Sequence, residues 1–184
     1  PLKHWNVGKD SKVAVVGLGG LGHMAIKLAD ALGAHVTLFS RSPNKIQDGL
    51  DLGADQVIIS TDEAQMESVM NKFDVIIDTV PYAHDLNPYI GTLNTNGTLV
   101  VVGYLGPLDP MLVTVPLIMG RKSVAGSLIG GIAETQELLD FCGEHNITSD
   151  VEVINMQDIN TAYERMLKSD VHYRFVIDMK SLKA

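Results

Sequence analysis

The chain has 184 residues, 46% hydrophobic and 20% charged, with a net charge of −8 from 14 basic and 22 acidic side chains. That composition suits one globular domain with a sizeable core and a small appendage, excludes a long disordered tract, and leaves no basic footprint for nucleic acid. A single cysteine, Cys142, excludes an internal disulfide and a cysteine-built zinc site, and fits the cytoplasm.

The first residues, Pro1-Leu2-Lys3-His4-Trp5, do not read as a signal peptide, and no initiator methionine precedes them. The expectation is a stretch cut from a longer protein, or a processed start. Lys12 to Gly17 is a β-branched run ending in glycine and predicts a buried parallel strand. From Leu21 to Leu32, apolar residues recur at helical spacing until Gly33. The uncharged run that starts at Val13 and stops before Lys27 is glycine-rich and short of the ~20 apolar residues a membrane span needs, so no membrane partner is expected. His35 to Phe39 is a second strand, and a second helix runs from Pro43 to Gly53. Gln56 to Ile59 is a strand, Asp62 to Met70 a helix, Asp74 to Asp78 a strand, and Asp85 to Leu93 an irregular helix limited by Pro88. The turn pair Asn96-Gly97 introduces a strand to Gly103. A proline-bearing loop then leads to a short strand near Leu112 to Thr114, a short helix from Pro116 to Gly120, and a strand from Ser123 to Ser127. Gly130-Gly131 reads either as a hinge or as the start of the next helix, Ile132 to Glu144, with Leu138, Leu139 and Cys142 inward.

Setting aside the short strand near Leu112, six strands alternate with helices, which predicts a doubly wound parallel α/β sheet. From Asp150 the pattern changes. Val151 to Asn155 alternates at period two, Asp158 to Lys168 is amphipathic, and His172 to Asp178 is another strand. The expected division is 1–148 and 149–184.

Seventeen glycines are many for this length, and most follow apolar runs. Gly17, Gly19 and Gly22 form G-x-G-x-x-G in the run Gly17-Leu18-Gly19-Gly20-Leu21-Gly22. The motif follows a strand and opens a helix, the context in which it binds a dinucleotide. Gly17 permits the tight turn, Gly19 lets a pyrophosphate approach the backbone, and Gly22 lets helix and strand pack closely. The helix start then offers unpaired N–H groups to the phosphates. The competing reading is a ligand-free strand–helix turn. At the end of the second strand an NAD site carries an acid, yet Ser40-Arg41-Ser42-Pro43-Asn44-Lys45 stands there. Arg41 and Lys45 are suited to a 2′-phosphate and Ser40 to a hydrogen bond with it, so NADP(H) is expected over NAD(H). Against this stands a solvated helix start with two chance cations.

Taken together, these stretches resemble the coenzyme domain of zinc-dependent medium-chain alcohol dehydrogenases, in the NADP-dependent cinnamyl-alcohol-dehydrogenase-like branch. The likeness is carried by Pro1 to Trp5, Gly17 to Ala25, Ser40-Arg41-Ser42 with Lys45, Leu52-Gly53-Ala54-Asp55, Asp74 to Asp78, and Gly126 to Gly131. It implies a Rossmann sheet, with Thr79 and Val80 contacting the adenosine side and nicotinamide ribose. Gly103 and Tyr104 would meet the nicotinamide riboside, and Ser127, Leu128 and Ile129 the carboxamide. It also implies homodimerisation through the edge strand Ser123 to Ser127, and a tail that belongs to a GroES-like catalytic domain. In that family the zinc ligands lie in the part preceding the coenzyme domain. The six histidines here are scattered without ligand spacing, so zinc is expected only in the full-length enzyme. The implied reaction is reversible hydride transfer between NADPH and an aldehyde or primary alcohol, with this fragment binding cofactor but inactive alone. The rival readings are a zinc-independent quinone or enoyl reductase domain, a stand-alone dinucleotide sensor, and a methyltransferase, which the missing acid after the second strand weakens. Among remaining candidates, His23 reads either as a group near the pyrophosphate or as a packed first-turn histidine, Cys142 as a structural thiol, and Asp74 and Asp78 as strand-end positioning groups.

Overall fold

A strand covered on both faces must be apolar on both, and three stretches of the chain meet that demand. In the computed structural model, which describes residues 1–103 and 106–183, they are β1 (Lys12–Val16), β2 (His35–Ser40) and β4 (Phe73–Asp78). Every residue of β1 and β2 after the first is buried. With β3 (Gln56–Ile59), β5 (Leu93–Val101) and β6 (Ser123–Gly126) they form a six-stranded sheet in the order β3-β2-β1-β4-β5-β6. All five pairings are parallel. The connecting helices are α1 (Gly20–Ala31), α2 (Ile46–Asp51), α3 (Glu63–Ser68), α4 (Asn87–Thr92) and α5 (Val115–Gly120), and α6 (Ile132–Glu144) follows the last strand.

On one side of the sheet Phe39 lies edge-on to Phe73, ring centroids 5.5 Å apart, and 5.3 Å from Tyr89. Such aromatic pairs add about 0.5–1.5 kcal/mol each beyond the area they bury. Acidic residues at strand entrances fix the register. Asp55 Oδ2 accepts from Val36 N at 2.7 Å, and Asp74 Oδ2 accepts from Lys12 N at 2.9 Å. The sheet therefore begins in register at two of its seams, and its carboxyl ends line up opposite.

The chain divides into two compact units, Pro1–Ile147 and Thr148–Ala184. The second holds β7 (Glu152–Asn155), α7 (Ile159–Leu167) and β8 (Phe175–Asp178), with β7 and β8 paired in parallel. Arg165 anchors it. Its guanidinium donates to Glu152 and Asp170 at 2.8 and 3.0 Å and lies 4.9 Å from the centre of the Phe175 ring.

Several elements depart from the pattern read in the sequence. The helix expected from Pro43 begins as a 3-10 turn, Pro43–Lys45, before α2. Asn96-Gly97 does not introduce β5 but lies within it. Asn96 takes φ +65°, and the register with β4 shifts between Phe73 and Val75, so the turn-forming pair is absorbed as a strand irregularity. No strand forms at Leu112 to Thr114. The Asn87 carboxamide takes the ladder's place, donating to Met111 O at 3.2 Å and accepting from Val113 N at 2.8 Å. In α6 the expected inward face is not inward: Leu138 and Leu139 are exposed and Cys142 is half-buried. The other helices of this unit connect consecutive strands, whereas α6 follows the last strand of the sheet.

Candidate functional site

Strand order reverses between β1 and β4, where the chain proceeds from β1 to β2 in one direction along the sheet and from β4 to β5 in the other. In open α/β sheets the crevice at that point, beyond the carboxyl ends, is where ligands bind.

The turn after β1 is built for close approach. Gly17 takes φ +90°, in the left-handed region that favours glycine. A Cβ on Gly22 would stand 2.1 Å from Gly17 O, so only glycine lets α1 start this near the strand end. Gly19 differs: a Cβ there would meet nothing within 4 Å, and the backbone is extended with φ −137°. Gly19 thus borders open space at the N-cap of α1, where no side chain caps the helix. The N–H groups at the start of α1 belong to the helix's first turn, the position at which helices hold anions. Leu18 is buried, Leu21 half-exposed. His23 is fully buried and its Nδ1 lies 3.1 Å from Gly19 O, so it packs beneath the turn.

Beyond β2 the chain holds two cations and no acid. Lys45 Nζ donates to Leu18 O at 3.1 Å, reaching from the second crossover to the glycine turn. Arg41 is exposed and its Nη2 donates to Tyr82 Oη at 2.6 Å. Ser40 is buried; its hydroxyl donates to Ser42 O at 3.3 Å and accepts from Ser42 N at 3.1 Å. Ser40 is therefore engaged in shaping the turn that carries Arg41.

Thr79 sits at the end of β4 and locks the crevice floor. Its hydroxyl donates to Val16 O at 2.7 Å, and its N–H to the same carbonyl at 3.1 Å. Val80 N donates to Asp78 Oδ1 at 3.1 Å. A Cβ on Gly103 would lie 2.4 Å from Thr79 O, so the loop after β5 runs against the loop after β4 backbone to backbone. Tyr104 lies outside the described residues. After β6, Ser127 N donates to Val101 O at 3.2 Å, while Leu128 and Ile129 are exposed at 83% and 89%. The structure thus gathers the glycine turn, Lys45, Thr79, Val80 and Gly103 about the β1–β4 crevice, and sets Arg41 at its rim. Ser127 to Ile129 follow β6, two strands beyond β4.

Two features were not singled out in the sequence. Tyr82 covers Arg41, its ring centre 5.6 Å from the guanidinium carbon. Asp78 is fully buried with Oδ2 3.3 Å from His84 Nε2, and neither atom has another polar partner. Burial pushes the Asp78 carboxyl above the usual carboxylate range, while the His84 charge and the Val80 N–H pull it back. An acid four positions before a tyrosine and six before a histidine carries no recognisable spacing, so only the folded loop reveals the pair.

Among the described residues no three His, Cys, Asp or Glu side chains come together as a metal site, so zinc does not fit them. No helix among them is long and apolar enough to cross a membrane.

Residues 20–144 match the family model of the zinc-binding dehydrogenases. The chain is 52% identical over 183 residues to a probable formaldehyde dehydrogenase of Bacillus subtilis, covering 99% of this chain and 52% of that protein. It is 50% identical over 185 residues to an NADP-dependent alcohol dehydrogenase of Mycolicibacterium smegmatis, covering all of this chain and 52% of that one. Among solved structures, a cinnamyl alcohol dehydrogenase of Sorghum bicolor superposes with a TM-score of 0.92 at 46% identity, over 97% of this chain and 51% of that one. A Helicobacter pylori relative complexed with NADP(H) gives 0.86 at 42% identity, over 98% and 51%. The chain spans about half the length of the curated relatives it matches. With a Rossmann-type sheet, a glycine turn at its switch point and a family match over most of its length, the chain belongs to the zinc-binding dehydrogenase family.

Proposed function

We propose that this chain is the NADP(H)-binding part of an alcohol dehydrogenase that moves hydride reversibly between NADPH and an aldehyde or primary alcohol. The carrying observation is the pairing of an open glycine turn with Arg41 and Lys45 beyond β2, where no acid stands. Mycolicibacterium and Helicobacter relatives named or solved with NADP support the same reading.

In this reading Gly17, Leu18, Gly19, Gly20, Leu21 and Gly22 receive the pyrophosphate, with the N–H groups of the α1 start turned to its oxygens. Arg41 and Lys45 hold the 2′-phosphate, and Ser40 fixes the turn that carries Arg41. Thr79 and Val80 bound the adenosine side and nicotinamide ribose, Gly103 and Tyr104 the nicotinamide riboside, and Ser127, Leu128 and Ile129 the carboxamide. When bound, the cofactor would supply the hydride, and these residues would supply orientation. Zinc belongs to the rest of a longer enzyme, because the described residues offer no ligand set for it. The second unit, Thr148–Ala184, is read as the returning segment of a GroES-like catalytic domain. The outer side of β6 is an unpaired sheet edge, which supports homodimerisation there, and the single cysteine supports a cytoplasmic setting.

Direct titration with NADPH and NADH tests the cofactor assignment. NADPH binds more tightly to the wild-type chain, and Arg41→Ala lowers that preference about tenfold or more. Equal affinities, unchanged by the substitution, would overturn it. Turnover of an aldehyde with NADPH by this chain alone would overturn the assignment of catalysis to the longer protein.

A further inference from the structure

We propose that Tyr82 is a positioning residue for Arg41 and thereby sets the preference for a 2′-phosphorylated dinucleotide. The proposal rests on the reading that Arg41 meets the 2′-phosphate.

An exposed arginine samples many rotamers, and ordering it opposes anion binding. Here the ordering is done in advance. Tyr82 Oη accepts from Arg41 Nη2 at 2.6 Å, and the ring stands within cation–π reach of the guanidinium carbon at 5.6 Å. One hydrogen bond to the phenol leaves the other guanidinium N–H groups for an anion.

Tyr82 can hold Arg41 because its own backbone is held. His84 Nδ1 lies 2.9 Å from Tyr82 O, and His84 Nε2 lies 3.3 Å from the buried Asp78 carboxylate. The same carboxylate accepts from Val80 N. Downstream, Leu86 is buried at 2% exposure and closes the loop onto the core. The end of β4 is thus linked through Asp78, His84 and Tyr82 to a cation beyond β2. Tyr82 itself is 51% exposed, so core packing does not account for an aromatic residue at this place. Its side chain meets the Arg41 guanidinium instead.

The experiment measures NADPH and NADH dissociation constants by nicotinamide fluorescence on the full chain, for wild type, Tyr82→Phe, Tyr82→Ala, Arg41→Ala and the double variant Arg41→Ala/Tyr82→Ala. Tyr82→Ala is expected to weaken NADPH about 3- to 10-fold and leave NADH within about twofold. Tyr82→Phe, which keeps the ring, loses about 2- to 3-fold, and provides the test on a folded chain should the alanine variant not fold. In the Arg41→Ala background the Tyr82 substitution adds nothing. If Arg41→Ala leaves the NADPH preference intact, the underlying reading fails. If Arg41→Ala lowers it while Tyr82→Ala and Tyr82→Phe change neither affinity, weaken both cofactors alike, or tighten NADPH, the reading stands and the role given to Tyr82 is refuted.

Discussion

Gly22 and Gly19 are three residues apart in one turn, and alanine at each is expected to do opposite things. At Gly22 the new Cβ would sit 2.1 Å from Gly17 O and 3.0 Å from Gly17 C, against an ordinary contact limit of about 3.4 Å. Both obstacles are backbone, so the start of α1 must retreat by more than an ångström. That retreat drags Ile26 and Ala29, both fully buried, away from the sheet. Overpacking of this kind costs typically 1–3 kcal/mol, and a backbone obstacle places it near ~3 kcal/mol. At roughly 2–4 °C per kcal/mol for a chain of this size, the melting temperature falls by about 6–12 °C. At Gly19 the Cβ meets nothing within 4 Å and the extended backbone suits an L-residue, so stability stays within about 0.5 kcal/mol. The methyl group instead fills the space assigned to the pyrophosphate, and NADPH affinity falls about tenfold or more. Thermal unfolding by circular dichroism, run with and without NADPH, reads both effects. A Gly22→Ala chain that melts with the wild type refutes the packing account. A Gly19→Ala chain that binds NADPH as the wild type does refutes the assignment of that space.

Two further outcomes follow from the same geometry. Burial raises the Asp78 carboxyl in the folded state, so between the unfolded value near ~4 and that raised value the native state binds more protons than the unfolded chain. The contribution of this group to stability therefore declines as pH rises through that interval. Asp78→Asn should gain stability relative to wild type on going upward from about pH 4, and parallel pH profiles of melting temperature for the two proteins would refute this. Asn87 anchors the segment at Met111 and Val113 through its carboxamide. Asn87→Ala should speed amide hydrogen exchange at Val113 while leaving β5 protected, and unchanged exchange at Val113 would show that another contact holds the segment.

Fold class was legible because parallel strands must be apolar on both faces, and β1, β2 and β4 are written that way. The glycine turn was legible for a related reason: Gly17 and Gly22 are demanded by backbone geometry, which leaves a mark at fixed spacing. What escaped were features set by tertiary partners. The Asn96-Gly97 pair has the composition of a turn, yet β4 holds it inside a strand. Leu112 to Thr114 looked extended, but an asparagine side chain took the hydrogen bonds a sheet would have used. The α6 stripe has the period of a buried face, yet among the described residues Leu138 and Leu139 stay exposed and Cys142 is only half-buried. Tyr82 reaches Arg41 beyond another strand, and His84 reaches Asp78 only through the fold of the segment after β4, so no local pattern announces either pairing.

The bond from Lys45 Nζ to Leu18 O makes this cation an occupied one. The ammonium has three N–H donors, so an anion arriving beyond β2 can pair with those that Leu18 O leaves, and the pull on Nζ competes with the carbonyl bond. Any shift of Lys45 toward that anion changes its hold on Leu18 O in the glycine turn. With the dinucleotide seated as proposed, its two ends are coupled thermodynamically through this one bond: whatever draws Lys45 away at one end alters the freedom of the loop at the other, and by reciprocity a loop stiffened by a bound pyrophosphate changes the affinity of Lys45 for its anion.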